Sequence, residues 1–262
     1  MNQLQSQSKF LEVAIQAAKK AERIIMEYYS KEIKSTQKAD RSFVTEADKG
    51  AEKIIIETIR KEFPDHGFFG EESGKENVES QYVWVIDPID GTNNFIHHIP
   101  IFGTQIALMK DREIILGVSN APALGELMYA EKGGGAYLNE QKVSVSQTQE
   151  IESTYITFGG PKHFYKKNII DNLAKLTADA NSARGFGDFW SYHLVAQGKM
   201  DIMVEAKAKL YDIAAVKVII EEAGGVVTNF DGRAISMDAD SIIATNKKLH
   251  PKVLEYFIMS KE

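Results

Sequence analysis

The stretch WVIDPIDGTNNF, residues 84–95, places two carboxylates at the end of an apolar run. Asp87 and Asp90 are so close in sequence that their charges repel each other unless a cation lies between them. On a straight strand, residues three apart point to opposite faces. Pro88 removes a backbone donor and fixes φ, so we expect the strand to end there. Gly91 permits unusual backbone angles, and a bent segment can turn both carboxylates to one side.

The oxygen atoms of this segment suit a hard metal ion. Carboxylates, together with a carbonyl such as that of Ile89, are the ligands that Mg²⁺ or Ca²⁺ prefers. Thr92 and Asn93 can open a short helix whose free N–H groups would hold a phosphate. The same residue types are also common at an ordinary strand-to-turn junction, where they make local hydrogen bonds. From this segment alone, both interpretations stay open.

Three other places in the sequence carry acids that can join such a site. Glu71 and Glu72 are adjacent in a predicted loop, where a pair of this kind is commonly a solvated surface feature. Asp212 stands at the mouth of a predicted helix, where it interacts favourably with the helix dipole. Asp48 follows Thr45 in a T-x-x-D pattern that is close to a capping box. Each acid has a structural explanation of its own, so a metal site requires them to converge.

The composition excludes several other classes of function. The 262-residue chain has a net charge of −6 and no basic tract, which argues against binding to nucleic acid or to anionic membranes. It has no cysteine, which excludes disulfides, thiolate nucleophiles and Cys-based metal centres. The motif G-x-S-x-G is absent, and the six histidines show no metal-ligand spacing. The N-terminus lacks the pattern of a signal peptide, so we expect a cytoplasmic protein.

The acids need a scaffold, and the first half of the chain predicts helices followed by strands. Apolar periodicity and turn residues predict helices at 9–30 and 45–63, a polar loop or short ribbon between them, a loop at 67–80, a strand at 82–86 and an antiparallel pair at 104–109 and 113–119. This order of elements indicates an α+β lobe over residues 1–150 that carries most of the acids.

The second half alternates more regularly, which indicates an α/β lobe over residues 151–262. Its predicted strands lie at 156–158, 201–205, 226–230 and 241–246, and its predicted helices lie at 168–176, 189–197, 211–225 and 248–259. No Pro-, Gly- or Ser-rich linker separates the halves, so we expect two fused lobes with a ligand site between them. The predicted fold class is therefore α/β, with an α+β lobe fused to an α/β lobe.

Three segments together resemble the inositol monophosphatase superfamily: FFGEES at 68–73, WVIDPIDGTNNF at 84–95 and YDIAAVKVIIEEAGG at 211–225. They occur in the order of that family, and the resemblance covers nearly the whole chain. It implies a layered αβαβα sandwich and the Mg²⁺-dependent hydrolysis of small phosphate monoesters by a metal-activated water. It also implies a homodimer with roughly two or three Mg²⁺ ions per active site, with Mn²⁺ as a substitute and Li⁺ and Ca²⁺ as inhibitors.

By this resemblance, four acids and one carbonyl are metal ligands: Glu71, Asp87, Asp90 and Asp212, with the Ile89 carbonyl. Thr92 and Glu71 help to activate the attacking water, and Asp48 lies behind a weaker metal site near that water. The backbone N–H groups of Gly91 and Thr92 hold the phosphate. These roles agree with the chemistry, because two metal ions can stabilise both the attacking and the leaving oxygen of a phosphate ester.

Substrate choice depends on residues further along the chain. Glu205 matches the family position that contacts the leaving alcohol. Gly187 and Asp188 stand where inositol phosphatases typically carry small, uncharged residues, and an Asp there resembles the histidinol-phosphate phosphatase branch. Histidinol phosphate carries an ammonium and a titratable imidazole, with which carboxylates at 188 and 205 can pair. The hydroxyls of an inositol ring can instead bind Glu205 and Asp90.

Several alternatives stay open at this point. Asp188 can also be the N-cap of the helix that follows it. Tyr211 and Val216 depart from the Trp and Gly that are frequent in the family, which can reshape the pocket wall. Besides histidinol phosphate, the candidate substrates are inositol 1-phosphate, NADP and 3′-phosphoadenosine phosphate. A catalytically silent metal- or phosphate-binding regulator is the non-enzymatic alternative.

Overall fold

The computed structural model describes residues 8–38, 43–236 and 238–258. Within these residues the chain forms five layers, in which helices cover the outer faces of two large β-sheets and fill the space between them. The layers follow from four clusters of buried apolar side chains, because each sheet has to bury both of its faces. The predicted αβαβα sandwich is therefore confirmed.

Two long helices and a short ribbon open the described chain: α1 (Lys9–Tyr29), β1 (Ser35–Gln37), β2 (Phe43–Thr45) and α2 (Glu46–Glu62). Ser8 caps α1 by accepting a hydrogen bond from the N–H of Leu11 at 3.2 Å. The predicted capping box opens α2, with Thr45 and Asp48 each bonded to the other's backbone N–H. The apolar faces of both helices pack together against one face of the first large sheet.

The first large sheet has eight strands, and a short helix follows its third strand: β3 (Gly67–Gly70), β4 (Gly74–Glu76), β5 (Tyr82–Asp90), α3 (Thr92–Ile96), β6 (Gly103–Lys110), β7 (Glu113–Ala121), β8 (Glu126–Glu131), β9 (Gly135–Leu138) and β10 (Gln141–Val143). The spatial order is β10–β9–β8–β7–β6–β5–β3–β4. The predicted antiparallel pairing of β6 with β7 is confirmed. The pair β3 and β5 runs parallel, which brings the ends of these two strands to one edge of the sheet.

The second half of the described chain alternates as predicted between strands and helices: β11 (Tyr155–Phe158), α4 (Pro161–Lys166), α5 (Ile170–Asp179), β12 (Ser182–Arg184), α6 (Asp188–Ala196), β13 (Ile202–Glu205), α7 (Leu210–Glu222), β14 (Gly225–Thr228), β15 (Ile242–Asn246) and α8 (His250–Ile258). Its five strands form a mixed sheet in the order β12–β11–β13–β15–β14. Apolar residues of α4, α5 and α8 cover the outer face of this sheet.

Two helices, α6 and α7, fill the middle layer between the sheets. Most of their side chains are buried, as is typical of helices covered on all sides. The approach of α7 to the first sheet is so close that a Cβ on Gly117 would lie 2.3 Å from the carbonyl oxygen of Ala215. This packing places the starts of both helices beside the end of β5, where the acidic residues lie.

Two predictions for the first sheet were wrong. Residues 67–80 are not a loop throughout, since β3 and β4 form there around the buried side chain of Phe68. The strand at residue 82 does not end before Pro88 but continues to Asp90. A register shift between Asp87 and Asp90 takes the proline out of the regular ladder, so its missing N–H interrupts no pairing.

None of the helices in the described ranges is long and apolar enough to cross a lipid bilayer. The longest of them, α1, has 21 residues. Its apolar side chains, such as Ala14, Ala18 and Ile25, belong to the core of the protein.

Candidate active site

The bend at the end of β5 turns Asp87 and Asp90 into one cavity. Up to Asp87 the strand pairs regularly with β6, and after the register shift Asp90 pairs with Gly103. A bulge of this kind re-aims the side chains that follow it. Asp87 Oδ1 accepts a hydrogen bond from the N–H of Ile89 at 3.0 Å, which holds the bend from inside. The predicted bend is thus present, although the strand continues through it.

Gly91 and Thr92 connect this bend to α3. Gly91 has a φ of 84°, and a Cβ there would lie 2.8 Å from the carbonyl oxygen of Ile101, so only glycine fits. Thr92 is the first residue of α3, and its hydroxyl donates to the carbonyl of Ile89 at 3.0 Å. The short helix predicted at Thr92 and Asn93 is confirmed, and both residues line the same cavity as the acids.

The turn between β3 and β4 carries Glu71 and Glu72. Their side chains are only 15% and 13% exposed, so the alternative of a solvated surface pair is wrong. The Nζ of Lys38 lies 3.0 Å from Glu71 Oε1 and 2.5 Å from Glu72 Oε1. Although burial opposes the charged form of Lys38, these two carboxylates raise its pKa above the ordinary value. A cation therefore already bridges this acidic turn.

Glu52 holds the same turn from the side of α2. This buried carboxylate accepts hydrogen bonds from the N–H groups of Glu72 at 3.0 Å and Ser73 at 2.7 Å. A Cβ on Gly70 would lie 2.6 Å from Glu52 Oε2, so the carboxylate fits only against glycine. The orientation of the acidic turn is consequently set by a side chain of α2.

Asp212 and Asp48 reach the site from the starts of two helices. Asp212 lies in the first turn of α7 and accepts from the N–H of Lys209 at 2.9 Å, so it has both the expected local role and a place in the cavity. Asp48 Oδ2 accepts from the N–H of Thr45 at 2.7 Å and from its hydroxyl at 2.5 Å. Asp48 Oδ1 is buried and has no hydrogen-bond partner among the described residues.

Asp188 and Glu205 add two further carboxylates. The N-cap of α6 is Gly187, and Asp188 is the residue after it, so the alternative that Asp188 is the N-cap is wrong. Asp188 Oδ2 instead accepts from the side-chain amide of Asn94 at 3.0 Å. Glu205 is the last residue of β13, and its carboxylate lies 3.4 Å from the hydroxyl of Tyr192.

Nine of the predicted site residues line one cavity of about 270 Å³. Those that line it are Glu71, Asp87, Ile89, Asp90, Gly91, Thr92, Asp188, Glu205 and Asp212. Asp48 and Gly187 are not part of its wall, and Asp48 lies behind it, near Glu71. A larger cavity of about 490 Å³ beside Phe69 and Met109 combines two acidic with two basic side chains, so it lacks this concentration of acids.

Burial, with repulsion between neighbouring acids at most of these positions, raises the pKa of five carboxyls that line the smaller cavity: Asp87, Asp90, Asp188, Glu205 and Asp212. Burial is the largest cause for Asp87 and Asp90, followed by the nearby Glu71 for the first and Asp188 for the second. Burial also raises the pKa of Asp188 to about 6, of Asp212 to about 7 and of Glu205 to about 8. Such a cavity favours a polyvalent cation, which would relieve the repulsion.

Comparison with known proteins agrees with this geometry. The model of the inositol monophosphatase family matches residues 6–261. The chain belongs to the inositol monophosphatase family. Within this family, a histidinol-phosphatase of Chlorobaculum parvum is 37% identical over 240 residues, which cover 91% of this chain and 93% of the relative.

An inositol-1-monophosphatase of Mesorhizobium japonicum is 35% identical over 257 residues, which cover 95% of this chain and 96% of the relative. Among solved structures, the extragenic suppressor protein suhB from Bartonella henselae has a TM-score of 0.90 at 33% identity, with coverage of 97% of this chain and 100% of that one. As a member of the inositol monophosphatase family, the chain is a hydrolase that acts on phosphate monoesters. The prediction of an enzyme is confirmed.

The inositol monophosphatase family is generally metal-dependent, and the residues present here fit a metal ion. The unpartnered Asp48 Oδ1 and the ammonium of Lys38 on Glu71 both indicate a place for positive charge. Within residues 8–38, 43–236 and 238–258, no three acidic or histidine side chains already enclose one point as a closed metal cage does.

Sequence reasoning missed three residues whose side chains hydrogen-bond the acidic turn or a carboxylate of this cavity: Lys38, Glu52 and Asn94. Glu52 left a signal, since an acid on the apolar face of α2, four residues after Asp48, needs a buried partner. Lys38 and Asn94 left none, because their partners Glu71 and Asp188 lie 33 and 94 residues away along the chain. Contacts over such distances are created only by the packing of the layers.

Proposed function

We propose that this phosphatase uses Mg²⁺ to hydrolyse a small-molecule phosphate monoester and that histidinol phosphate is its leading substrate. The observation that carries the proposal is the pair Asp188 and Glu205, two carboxylates in the same cavity as the acids at the end of β5. In this proposal the other acids bind the metal, which leaves this pair to bind a leaving group. A leaving group that carries positive charge would relieve the repulsion between Asp188 and Glu205.

In this proposal the metal ligands are four carboxylates and one backbone carbonyl. The carboxylates are those of Glu71, Asp87, Asp90 and Asp212, and the carbonyl is that of Ile89. Oxygen-only donor sets of this kind are preferred by Mg²⁺. When bound, roughly two or three ions per site would supply Lewis acidity and lower the pKa of a bound water. We expect Mn²⁺ to substitute for Mg²⁺, and we expect Li⁺ and Ca²⁺ to inhibit.

The remaining residues orient the phosphate and the attacking water. The backbone N–H groups of Gly91 and Thr92, at the start of α3, would hold the phosphate oxygens. The Thr92 hydroxyl would help to orient the water, and the Glu71 carboxylate would accept the proton that the water loses on attack, as general acid–base catalysis requires. Asp48, behind Glu71, would keep negative charge near that water and hold a weaker metal ion.

Histidinol phosphate fits the leaving-group side of the cavity because it carries an ammonium and an imidazole. Charge-assisted hydrogen bonds from these groups to Asp188 and Glu205 are stronger than those from neutral hydroxyls. The name of the Chlorobaculum parvum relative supports this choice. Inositol 1-phosphate is the second candidate, since Asp90 and Glu205 can accept from its hydroxyls and the Mesorhizobium japonicum relative bears that name. NADP and 3′-phosphoadenosine phosphate follow these two.

The test is a comparison of kcat/KM for histidinol phosphate, inositol 1-phosphate, fructose 1,6-bisphosphate and NADP, each with Mg²⁺ and with EDTA. We expect histidinol phosphate to be the best substrate, and we expect EDTA to abolish every activity. The preference should disappear in Asp188→Ala. A wild-type preference for inositol 1-phosphate would show that the choice of substrate is wrong, while activity in EDTA would overturn the metal proposal.

We further propose that the protein works as a cytoplasmic homodimer without nucleic-acid or membrane partners. The cavity combines residues from 1–150 with residues from 151–262, which supports the proposal of two fused lobes with a site between them. A sedimentation mass of twice the 29.3 kDa of one chain would support the dimer. A mass of one chain at micromolar concentration would rule it out.

A further inference from the structure

We propose that Asn94 is a positioning residue that sets substrate specificity by holding the carboxylate of Asp188. This inference rests on the proposed function, in which Asp188 binds the cationic group of the substrate. Asn94 lies in α3, two residues after Thr92, and its side-chain amide donates to Asp188 Oδ2 at 3.0 Å. It therefore links the proposed phosphate-binding turn to the residue that selects the leaving group.

The amide group of Asn94 is itself held in a rigid place. Its nitrogen also donates to the carbonyl of Ile101 at 2.9 Å, so the two N–H bonds of the group serve two different acceptors. The Ile101 carbonyl oxygen is the atom that would lie 2.8 Å from a Cβ on Gly91. Because this region is so closely packed, the Asn94 amide keeps one orientation. The carboxylate of Asp188 has to lie where it can accept the hydrogen bond from that amide.

The backbone of Asp188 is also constrained. Asp188 has a φ of 48°, in the left-handed region that residues other than glycine rarely adopt, and the preceding Gly187 has a φ of 67°. The next N–H, that of Phe189, donates to Asp90 Oδ2 at 2.9 Å. Backbone strain of this kind persists only where the surroundings enforce it, and it concentrates at functional sites. Asp188 is thus fixed by its own backbone, by the following N–H and by Asn94.

This arrangement has a consequence for substrate choice. The bond from Asn94 engages Oδ2, so the other carboxylate oxygen of Asp188 remains to accept from an ammonium or an imidazolium. Without Asn94, the carboxylate would have to be ordered when the substrate binds, and binding would be weaker. A neutral leaving group depends less on Asp188 and should lose less. Asn94 should consequently act on the KM for a cationic substrate more than on kcat.

The experiment is a double-mutant cycle of Asn94→Ala and Asp188→Ala, measured with histidinol phosphate and with inositol 1-phosphate in saturating Mg²⁺. We expect Asn94→Ala to raise the KM for histidinol phosphate about tenfold, the scale of a hydrogen bond to a charged group, with kcat changed by less than about threefold. For inositol 1-phosphate we expect both constants to stay within about threefold. In the Asp188→Ala background, Asn94→Ala should have no further effect on the KM.

Two outcomes would overturn the role of Asn94. One is a double mutant whose loss equals the product of the two single losses, which would mean that Asn94 acts independently of Asp188. The other is an Asp188→Ala variant that slows no substrate, since Asn94 would then have nothing to position. Failure of the proposed substrate is recognised separately, as a wild-type preference for inositol 1-phosphate. The cycle is then evaluated with whichever substrate Asp188→Ala slows.

A matched control separates positioning from a general loss of packing. Asn172→Ala also removes a bond from an asparagine amide to a backbone carbonyl, that of Tyr256, but on α5. We expect this variant to keep the wild-type constants for both substrates. Calorimetric binding of histidinol, the amine-bearing product, gives a readout independent of turnover. Its dissociation constant should rise about tenfold in Asn94→Ala and by no more in the double mutant than in Asp188→Ala.

Discussion

The two ends of α6 hold polar side chains in opposite electrostatic situations. At its start, Asp188 joins a cavity of carboxyls that repel one another. Near its end, the fully buried His193 bonds Ser119 Oγ at 2.7 Å through Nε2 and Glu126 Oε2 at 3.0 Å through Nδ1. This second group contains the residue types of a Ser–His–acid triad, but its serine and its histidine are buried in the core.

The network near the end of α6 is structural, whereas the cavity at its start is a candidate site for chemistry. Ser119 and His193 are 0% exposed, and neither lines the two cavities described above. Burial lowers the pKa of His193, whereas the bond to His193 lowers the pKa of Glu126, so a neutral imidazole meets a charged carboxylate. A satisfied polar network of this kind makes a core rigid. The cavity with unrelieved repulsion and perturbed pKa values is the better candidate for function.

The largest effect on activity should come from a substitution in the acidic cavity at the start of α6. We expect Asp90→Asn to lower kcat about a thousandfold, the scale of a key electrostatic group, because it removes a proposed metal ligand. The variant should fold, and its melting temperature in EDTA should exceed that of the wild type, because one repelling charge is gone. Phosphate release with Mg²⁺ and thermal melting in EDTA measure the two effects. Wild-type turnover in Asp90→Asn would contradict the proposed metal site.

A substitution in the buried network near the end of α6 should lower the stability of the protein rather than its activity. We expect Ser119→Ala to lower the free energy of unfolding by about 1–3 kcal/mol, since Nε2 of His193 would lose its partner in the core. Its kcat/KM should stay within about threefold of the wild-type value. Urea denaturation and steady-state kinetics on the same preparation test both statements. Loss of all activity in a folded Ser119→Ala protein would show that the group of Ser119, His193 and Glu126 is catalytic.

Glu52 lies close to the acidic cavity, and both of its carboxylate oxygens accept hydrogen bonds from backbone N–H groups. We expect Glu52→Gln to lower kcat/KM about tenfold at limiting Mg²⁺, because the turn that carries Glu71 and Glu72 would lose a charged acceptor for its N–H groups. The effect should shrink at saturating Mg²⁺. Glu57→Gln on the exposed side of α2 is the matched control and should change nothing. An equal loss at every Mg²⁺ concentration would mean that Glu52 does not act through the acidic turn.

The smallest expected effect is the pH dependence of the metal-free protein. Burial raises the pKa of Glu205 from an ordinary 4.5 to about 8. Between these values the folded state binds more protons than the unfolded state, so the free energy of unfolding falls as the pH rises. We expect the melting temperature in EDTA to fall from pH 5 to pH 8, by about 2–4 °C for each kcal/mol lost. Glu205→Gln or excess Mg²⁺ should reduce this slope, and an unchanged slope in both would contradict the electrostatic account.

Much of the scaffold was predictable because its patterns are local. The apolar periodicity of α1 and α2 and the capping box at Thr45 identified two helices and the start of one. The hairpin β3–β4 was missed because its Gly- and Glu-rich composition favours a loop. It is a sheet edge only because Phe68 is buried beside β5, a contact that no local pattern encodes.

The acids and their spacing were determined by the sequence alone. Asp87 and Gly91 bend the chain through local backbone chemistry, and two carboxylates as close as those of Asp87 and Asp90 favour a cation between them. Tertiary structure decided which other side chains share their cavity and how each is held. Lys38, Glu52 and Asn94 act on residues far along the chain, because hydrogen bonds depend on distance in space. The same packing made Ser119, His193 and Glu126 a closed network rather than a reactive one.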